Sequence, residues 1–126
     1  MKTWSAHWKA SRQPRKQRKY RYEAPLHVVR RFVAAHLSKE LRGKYSTRSL
    51  GLKMGDTVKI VRGQYKGKQG KVEEVDLSRR KARVAGLSLQ RKDGTKAPVF
   101  LEPSNLLIIE LKMDDKRRQA VLERRK

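Results

Sequence analysis

The chain has 126 residues, 34 of them Lys or Arg against 12 Asp or Glu, which gives a formal net charge of +22. Hydrophobic and charged residues each make up 37% of it, whereas an ordinary soluble domain is roughly 45–50% apolar and about 25% charged. Such a length suits one small domain with extensions, short of core material and self-repelling until a polyanion neutralises it. The absence of cysteine excludes disulfide frameworks and thiolate zinc sites. No apolar run approaches the roughly 18 residues of a membrane span, and the start, Met1-Lys2-Thr3-Trp4, lacks the apolar core of a signal peptide. The expectation is a cytoplasmic protein without membrane insertion whose partner is a nucleic acid; an anionic membrane surface is the competing polyanion.

The charge is unevenly spread. Residues 1–53 carry 15 basic and 2 acidic side chains, residues 54–112 carry 13 and 7, and residues 113–126 carry 6 and 3. Residues 1–22 read as a basic arm: Trp4 to Tyr22 has no acidic residue and no helical apolar stripe, and Arg12, Arg15, Lys16, Arg18, Lys19 and Arg21 follow in close order. Either a solvated tail or an arm ordered on RNA fits that pattern. Trp4, Trp8, Tyr20 and Tyr22 favour the second, because aromatic faces stack on unpaired bases while arginines bridge phosphates. The i, i+4 spacing of Trp4 and Trp8 also suits a small helical staple.

Residues 23–52 read as short helical pieces. Pro25 opens a helix over Leu26–Ala35, with Leu26, Val29 and Val33 on one face and Arg30 on the other, next to Arg31. Ser38 and Glu40-Leu41 suggest a second helical turn ending near Gly43. These pieces are too small for a core of their own and are expected to pack on the main domain or on its partner.

From Met54 the pattern changes to period two. Val58 and Ile60 alternate with Thr57, Lys59 and Val61; Val72 and Val75 follow, then the runs Ala82–Leu87, Leu87–Arg91, Val99–Leu101 and Leu106–Leu111. Breakers at Gly63–Gly70, Asp76–Arg80, Asp93-Gly94 and Pro103-Ser104 separate them, and Asp93-Gly94 is a strong hairpin signal. Short strands at this spacing predict a mainly β protein, a small antiparallel barrel or sandwich over residues 53–112. Its expected core is Val58, Ile60, Val72, Val75, Val84, Leu87, Val99, Leu106 and Ile108. In residues 113–126, Asp114 is expected to cap a terminal helix whose apolar edge is only Val121 and Leu122.

The stretch that carries the chemistry runs from Gly55 to Val75. Gly63, Gly67 and Gly70 allow a tight, irregular loop with positive φ and close backbone approach. Arg62, Lys66 and Lys68 ride on it as phosphate contacts, with Tyr65 free to pack or to stack. A nucleotide-cradling P-loop would need GxxxxGK[ST] running into a helix; the residues from Gly63 to Lys68 supply neither.

This glycine-rich stretch resembles the KOW motif of ribosomal proteins and transcription elongation factors. Further segments carry the likeness along the chain: Gln17-Arg18-Lys19, Ala24-Pro25-Leu26-His27, Leu37 to Tyr45, Arg91-Lys92-Asp93-Gly94-Thr95 and Pro103-Ser104-Asn105. Together, over Gln13 to Arg125, they resemble the large-subunit ribosomal protein family numbered twenty-four in universal naming and twenty-six in eukaryotes, in its shorter archaeal form. Val84-Ala85-Gly86 departs from it, since the family usually has an acidic residue before that glycine. The resemblance implies an SH3-like barrel and a structural role in the large ribosomal subunit. It further implies binding to large-subunit rRNA, early action in subunit assembly and a place near the polypeptide exit tunnel. Neighbouring ribosomal proteins, targeting factors and the translocon would then be protein partners, with no cofactor and no small-molecule substrate. The rRNA contacts are expected from the basic arm with Tyr20, from Arg30 and Arg31, from Arg62, Gly63, Tyr65, Lys66, Gly67, Lys68 and Gly70, and from Arg91, Lys92 and Lys96. A KOW-type module of the transcription machinery is the alternative; it would normally accompany further domains, for which the chain has little room.

Catalysis finds no support. His7, His27 and His36 lie far apart without cysteine partners, so no metal site is expected. Glu73, Glu74 and Asp76 are expected to pair with Lys71, Arg79 or Arg80, since adjacent strand residues point to opposite faces. No Ser/His/Asp order has a favourable context. The expectation is a non-enzyme.

Overall fold

A computed structural model describes residues 4–8 and 11–125. Seven strands form one sheet: β1 (Ala34–Leu37), β2 (Ser49–Gly51), β3 (Thr57–Ile60), β4 (Gln69–Asp76), β5 (Lys81–Gln90), β6 (Lys96–Leu101) and β7 (Leu106–Glu110), in the order β2-β1-β7-β3-β4-β5-β6. Every neighbouring pair is antiparallel except β1 with β7. Four helices accompany it: α1 (Pro14–Glu23), α2 (Leu26–Phe32), α3 (Lys39–Tyr45) and α4 (Lys116–Glu123).

The architecture is therefore mixed α/β rather than mainly β. Among the described residues the sheet does not close, since β2 and β6 form its edges. Residues 53–112 supply five strands, and two more come from the segment read as helical. There α2 stops at Phe32, and Ala34–Leu37 becomes a strand. Val33 satisfies both periods: it continues the i, i+4 face of Val29 and also opens the alternation Val33, Ala35, Leu37, all buried. Pairing with β7 and β2 resolves the ambiguity by giving the backbone a ladder on both sides. Leu26, placed on the apolar face by sequence, is 68% exposed. In α3, Ser38 is the N-cap, its hydroxyl accepting from the Leu41 N–H, and the helix runs past Gly43 to a left-handed Ser46.

Seven of the nine expected core residues are buried; Val75 and Val99 pack against that core half-buried. Val33, Ala35, Leu37, Leu50 and Leu52 join the same cluster, as does Leu122 from α4. The two runs around Leu87 are one strand, β5, bent where Gly86 takes φ +79° and the register with β6 shifts between Arg83 and Ser88. A second register shift, between Val72 and Glu74, turns Glu73 and Glu74 outward together. Both then meet Arg83, at 3.0 and 3.5 Å, instead of Lys71, Arg79 or Arg80; only Asp76 pairs as expected, with Arg79 at 3.6 Å. The bulge is what defeats the alternation rule here.

The arm is also structured. Pro14 at the first helical position and a run of Arg, Lys and Gln, all good helix formers, make α1 despite the lack of an apolar stripe, and none of its residues is buried. It is held by Tyr20, whose ring stacks on Trp8 at 4.9 Å and lies 5.1 Å from Trp4 and 6.2 Å from Phe32 of α2. Arg80 adds a hydrogen bond from Nη1 to the Arg21 carbonyl at 3.0 Å.

At the other terminus the N-cap of α4 is Asp115, one residue after the expected Asp114; its carboxylate accepts from the Arg117 N–H. The helix is tied down by Arg118, whose guanidinium forks onto the fully buried carboxylate of Asp56 at 2.6 and 2.7 Å. Asp56 also accepts from the N–H groups of Lys53 and Lys112, so all three segments meet at one carboxylate just before β3.

Candidate nucleic-acid interface

The glycine-rich loop is the β3–β4 turn, and its backbone is fixed from within. The Gly67 N–H donates to the Ile60 carbonyl at 2.8 Å and the Ile60 N–H to the Lys68 carbonyl at 2.9 Å. Gly63 and Gly67 sit at φ +96° and +89°, where a Cβ would meet no atom within 4 Å; conformation, not space, calls for glycine there. Gly70 differs. Its φ is not positive, and a Cβ would lie 2.7 Å from the Ala85 carbonyl oxygen and 2.8 Å from a Val84 methyl, so it permits close packing of β4 on β5.

Tyr65 is half-buried against the core, with its hydroxyl 3.5 Å from the Ser88 carbonyl and the Lys68 ammonium 5.3 Å from its ring centre. It packs the loop onto β5. Arg62, Lys66 and Lys68 are exposed, and among the described residues none of them makes a salt bridge.

The same end of the sheet carries the β5–β6 hairpin. Asp93 shapes its turn, accepting from the Thr95 hydroxyl at 2.7 Å and the Thr95 N–H at 3.0 Å; these bonds, the hydroxyl's first, hold its carboxyl below the usual carboxylate range. Gly94 follows at φ +86°. Arg91, Lys92 and Lys96 are thereby exposed around a tip that begins three residues beyond the Tyr65–Ser88 contact. Loop and hairpin bring six of the expected contact cations to one end of β3.

The others gather elsewhere. Arg12 and the α1 cations Arg15, Lys16, Arg18, Lys19 and Arg21 are exposed along the arm, and Arg30 and Arg31 lie in the last turn of α2. Tyr20, expected to face RNA, is instead the centre of the aromatic cluster with Trp4 and Trp8; Tyr22, 88% exposed, is the free aromatic of that set. Sequence reasoning missed Arg80, which docks α1, and Arg117 and Arg125 of the C-terminal segment, although six cations in residues 113–126 marked it as basic.

Among the described residues no three His, Asp or Glu side chains gather as metal ligands and no helix is long and apolar enough to cross a membrane.

Comparison with known proteins decides the family. The family model that covers the eukaryotic ribosomal proteins L26 and their archaeal counterparts, numbered twenty-four, matches residues 11–125. The chain belongs to this family of ribosomal proteins. It is 50% identical over 114 residues to the large ribosomal subunit protein uL24 of Methanothrix thermoacetophila, covering 90% of this chain and 98% of that protein. Over 115 residues it is 50% identical to the protein of the same name from Methanocella arvoryzae, covering 91% and 93%. The Methanosarcina barkeri protein of that name is 46% identical over 114 residues, with 90% and 98% covered. These relatives are all archaeal, in keeping with the archaeal form that the sequence resembles, and a ribosomal family accounts for a chain of net charge +22.

Proposed function

We propose that the chain is a structural component of the large ribosomal subunit in the cytoplasm, and that it binds large-subunit rRNA with the cations of the glycine-rich loop and the β5–β6 hairpin. The observation that carries this reading is their convergence. Arg62, Lys66 and Lys68 on one turn and Arg91, Lys92 and Lys96 on the next are exposed, without carboxylate partners among the described residues, on backbones fixed by internal hydrogen bonds. A backbone fixed in advance does not have to be ordered on binding, so only the side chains lose freedom when they meet phosphates. The bent meander β7-β3-β4-β5-β6 is read as an SH3-like core, open in this chain, that presents the loop. The basic arm adds affinity along the RNA backbone. Early action in subunit assembly, a place near the polypeptide exit tunnel and contacts there with neighbouring ribosomal proteins, targeting factors or the translocon form part of the proposal, with the family resemblance as their support.

The test is competition binding: the full chain with labelled large-subunit rRNA and an excess of small-subunit rRNA. Retained binding is expected. Equal displacement by either RNA would reduce the reading to generic polycation binding.

A further inference from the structure

A groove of about 700 Å³ opens between α2, the edge strand β2 and α4. Its cations are Arg30 and Arg31 from α2, Lys53 from the turn before β3, and Arg117, Arg118 and Arg125 from the C-terminal segment, of which Arg118 is already paired with Asp56. The one carboxylate on the wall that faces them is Asp115, and it is already engaged: it caps α4 through the Arg117 N–H at 2.9 Å and receives the Lys53 ammonium at 3.1 Å. Among the described residues none of the other four arginines makes a salt bridge. Four guanidinium groups confined to one concave surface repel each other unless an anion joins them, and planar forks are suited to phosphate oxygens.

Size and lining narrow the ligand. The volume falls in the range that holds a drug-sized molecule, more than one phosphate needs. Among the described residues no Phe, Tyr or Trp lines the groove and His27 is its single ring, so it offers no platform on which successive bases would stack. Backbone contact without base readout is the mode such a surface supports. The groove is also built in advance, because the Arg118–Asp56 pair fixes α4 against the turn that carries Lys53.

Its position matters as much as its charge. Lys53 precedes β3 and Arg62 follows it, so groove and glycine-rich loop lie at opposite ends of that strand. We propose that the groove is a second site for an RNA backbone, and that the protein holds two rRNA segments at once, one at each end of β3. This rests on the rRNA-binding reading above and adds to it a bridging role that a single interface would not provide.

The absence of cysteine makes a direct test available. Gln64→Cys places a single thiol on the loop and Ser49→Cys one on the groove wall, and each carries a tethered iron–EDTA group that cleaves nearby RNA. With the full chain bound to large-subunit rRNA, the two probes are expected to cut separate, non-overlapping segments. Adding Arg30→Ala and Arg117→Ala should abolish the cuts from Ser49→Cys and leave those from Gln64→Cys. It should also reduce the log–log salt slope of binding by roughly 1.4–1.8, at about 0.7–0.9 per lost phosphate contact. Cuts from the loop probe alone, or one shared set from both, would overturn the bridging proposal and leave rRNA binding intact. Cuts from neither would overturn rRNA binding and the bridge with it. Flotation of the full chain with phosphatidylglycerol vesicles that depends on Arg30 and Arg117, without cuts from the groove probe, would assign the groove to a membrane surface and overturn the proposal.

Discussion

Replacing Arg118 by Met should be among the most damaging single changes in this chain. Asp56 has no exposed surface, and its carboxylate accepts four hydrogen bonds, two from the Arg118 guanidinium at 2.6 and 2.7 Å and two from the N–H groups of Lys53 and Lys112 at 3.0 Å each. Methionine fills most of the volume but leaves the carboxylate buried with no countercharge. Removing one partner of a buried pair costs about 3–5 kcal/mol, a large part of the roughly 5–15 kcal/mol that holds a domain together. The melting temperature should fall by roughly 10–20 °C, because α4 loses its tether and Leu122, 1% exposed, leaves the core with it. Arg118→Lys should lie between: it keeps the charge but loses the fork and the bonds from Nη1 to the Lys112 carbonyl and from Nη2 to the Gly51 carbonyl. Urea unfolding followed by far-ultraviolet circular dichroism gives the three midpoints. A Met variant within about 1 kcal/mol of wild type, well under the expected cost, or a Lys variant as unstable as Met, would refute the role of the charge pair.

Three further outcomes follow from the same structure. Gly70→Ala should destabilise by about 1–3 kcal/mol through overpacking, because its Cβ would sit 2.7 Å from the Ala85 oxygen; a thermal melt unchanged from wild type would contradict this. Deleting residues 1–22 should leave the thermal transition nearly unchanged, since α1 buries no residue, while lowering rRNA affinity and its salt slope; an unchanged slope would show that the arm does not touch RNA. Asp76, Asp93 and Asp115 are held below the ordinary carboxyl value of 3.8, chiefly by the Arg79 N–H, the Thr95 hydroxyl and the Lys53 ammonium respectively. Folded values below the unfolded ones stabilise the protein above pH 3.8, and that contribution is lost as pH falls through the lowered values. Urea midpoints should therefore drop progressively below about pH 4, and a midpoint that rises on acidification would reverse the sign.

Where one local pattern had no competitor, the sequence was legible. The alternation in Val58–Ile60 and Leu106–Ile108 and the hairpin at Asp93-Gly94 appear where the residues indicate, and so does the glycine-rich turn. Elements with two competing signals were not. Val33 fits a helical face and a strand equally, so β1 emerged only with its partners β2 and β7. In α1 the cations hide a helix that has no apolar stripe, and Tyr20 turned inward because Trp4, Trp8 and Phe32 were at hand. Glu73 and Glu74 face the same way because of a bulge, which no alternation rule foresees. The loop interface was readable because it is contiguous in sequence. The groove was not, because it combines Arg30 with Arg117 and Arg125 across most of the chain. Arg118 and Asp56, 62 positions apart, were lost among like residues for the same reason.

The central claim, that the glycine-rich loop docks on large-subunit rRNA by shape as well as charge, is tested most directly by Gly63→Ala with Gly67→Ala. Both positions have open space for a Cβ but positive φ, so the change removes no cation and disturbs only the path of the loop. Competition binding against small-subunit rRNA, with Lys66→Ala and Lys68→Ala as the control, separates the two contributions. The glycine variant should lose specific affinity by about tenfold or more, on the order of 1.4 kcal/mol, while keeping salt-sensitive binding; the lysine variant should weaken both. Specific affinity for the glycine variant within about threefold of wild type, with an unchanged thermal melt, would contradict docking by shape.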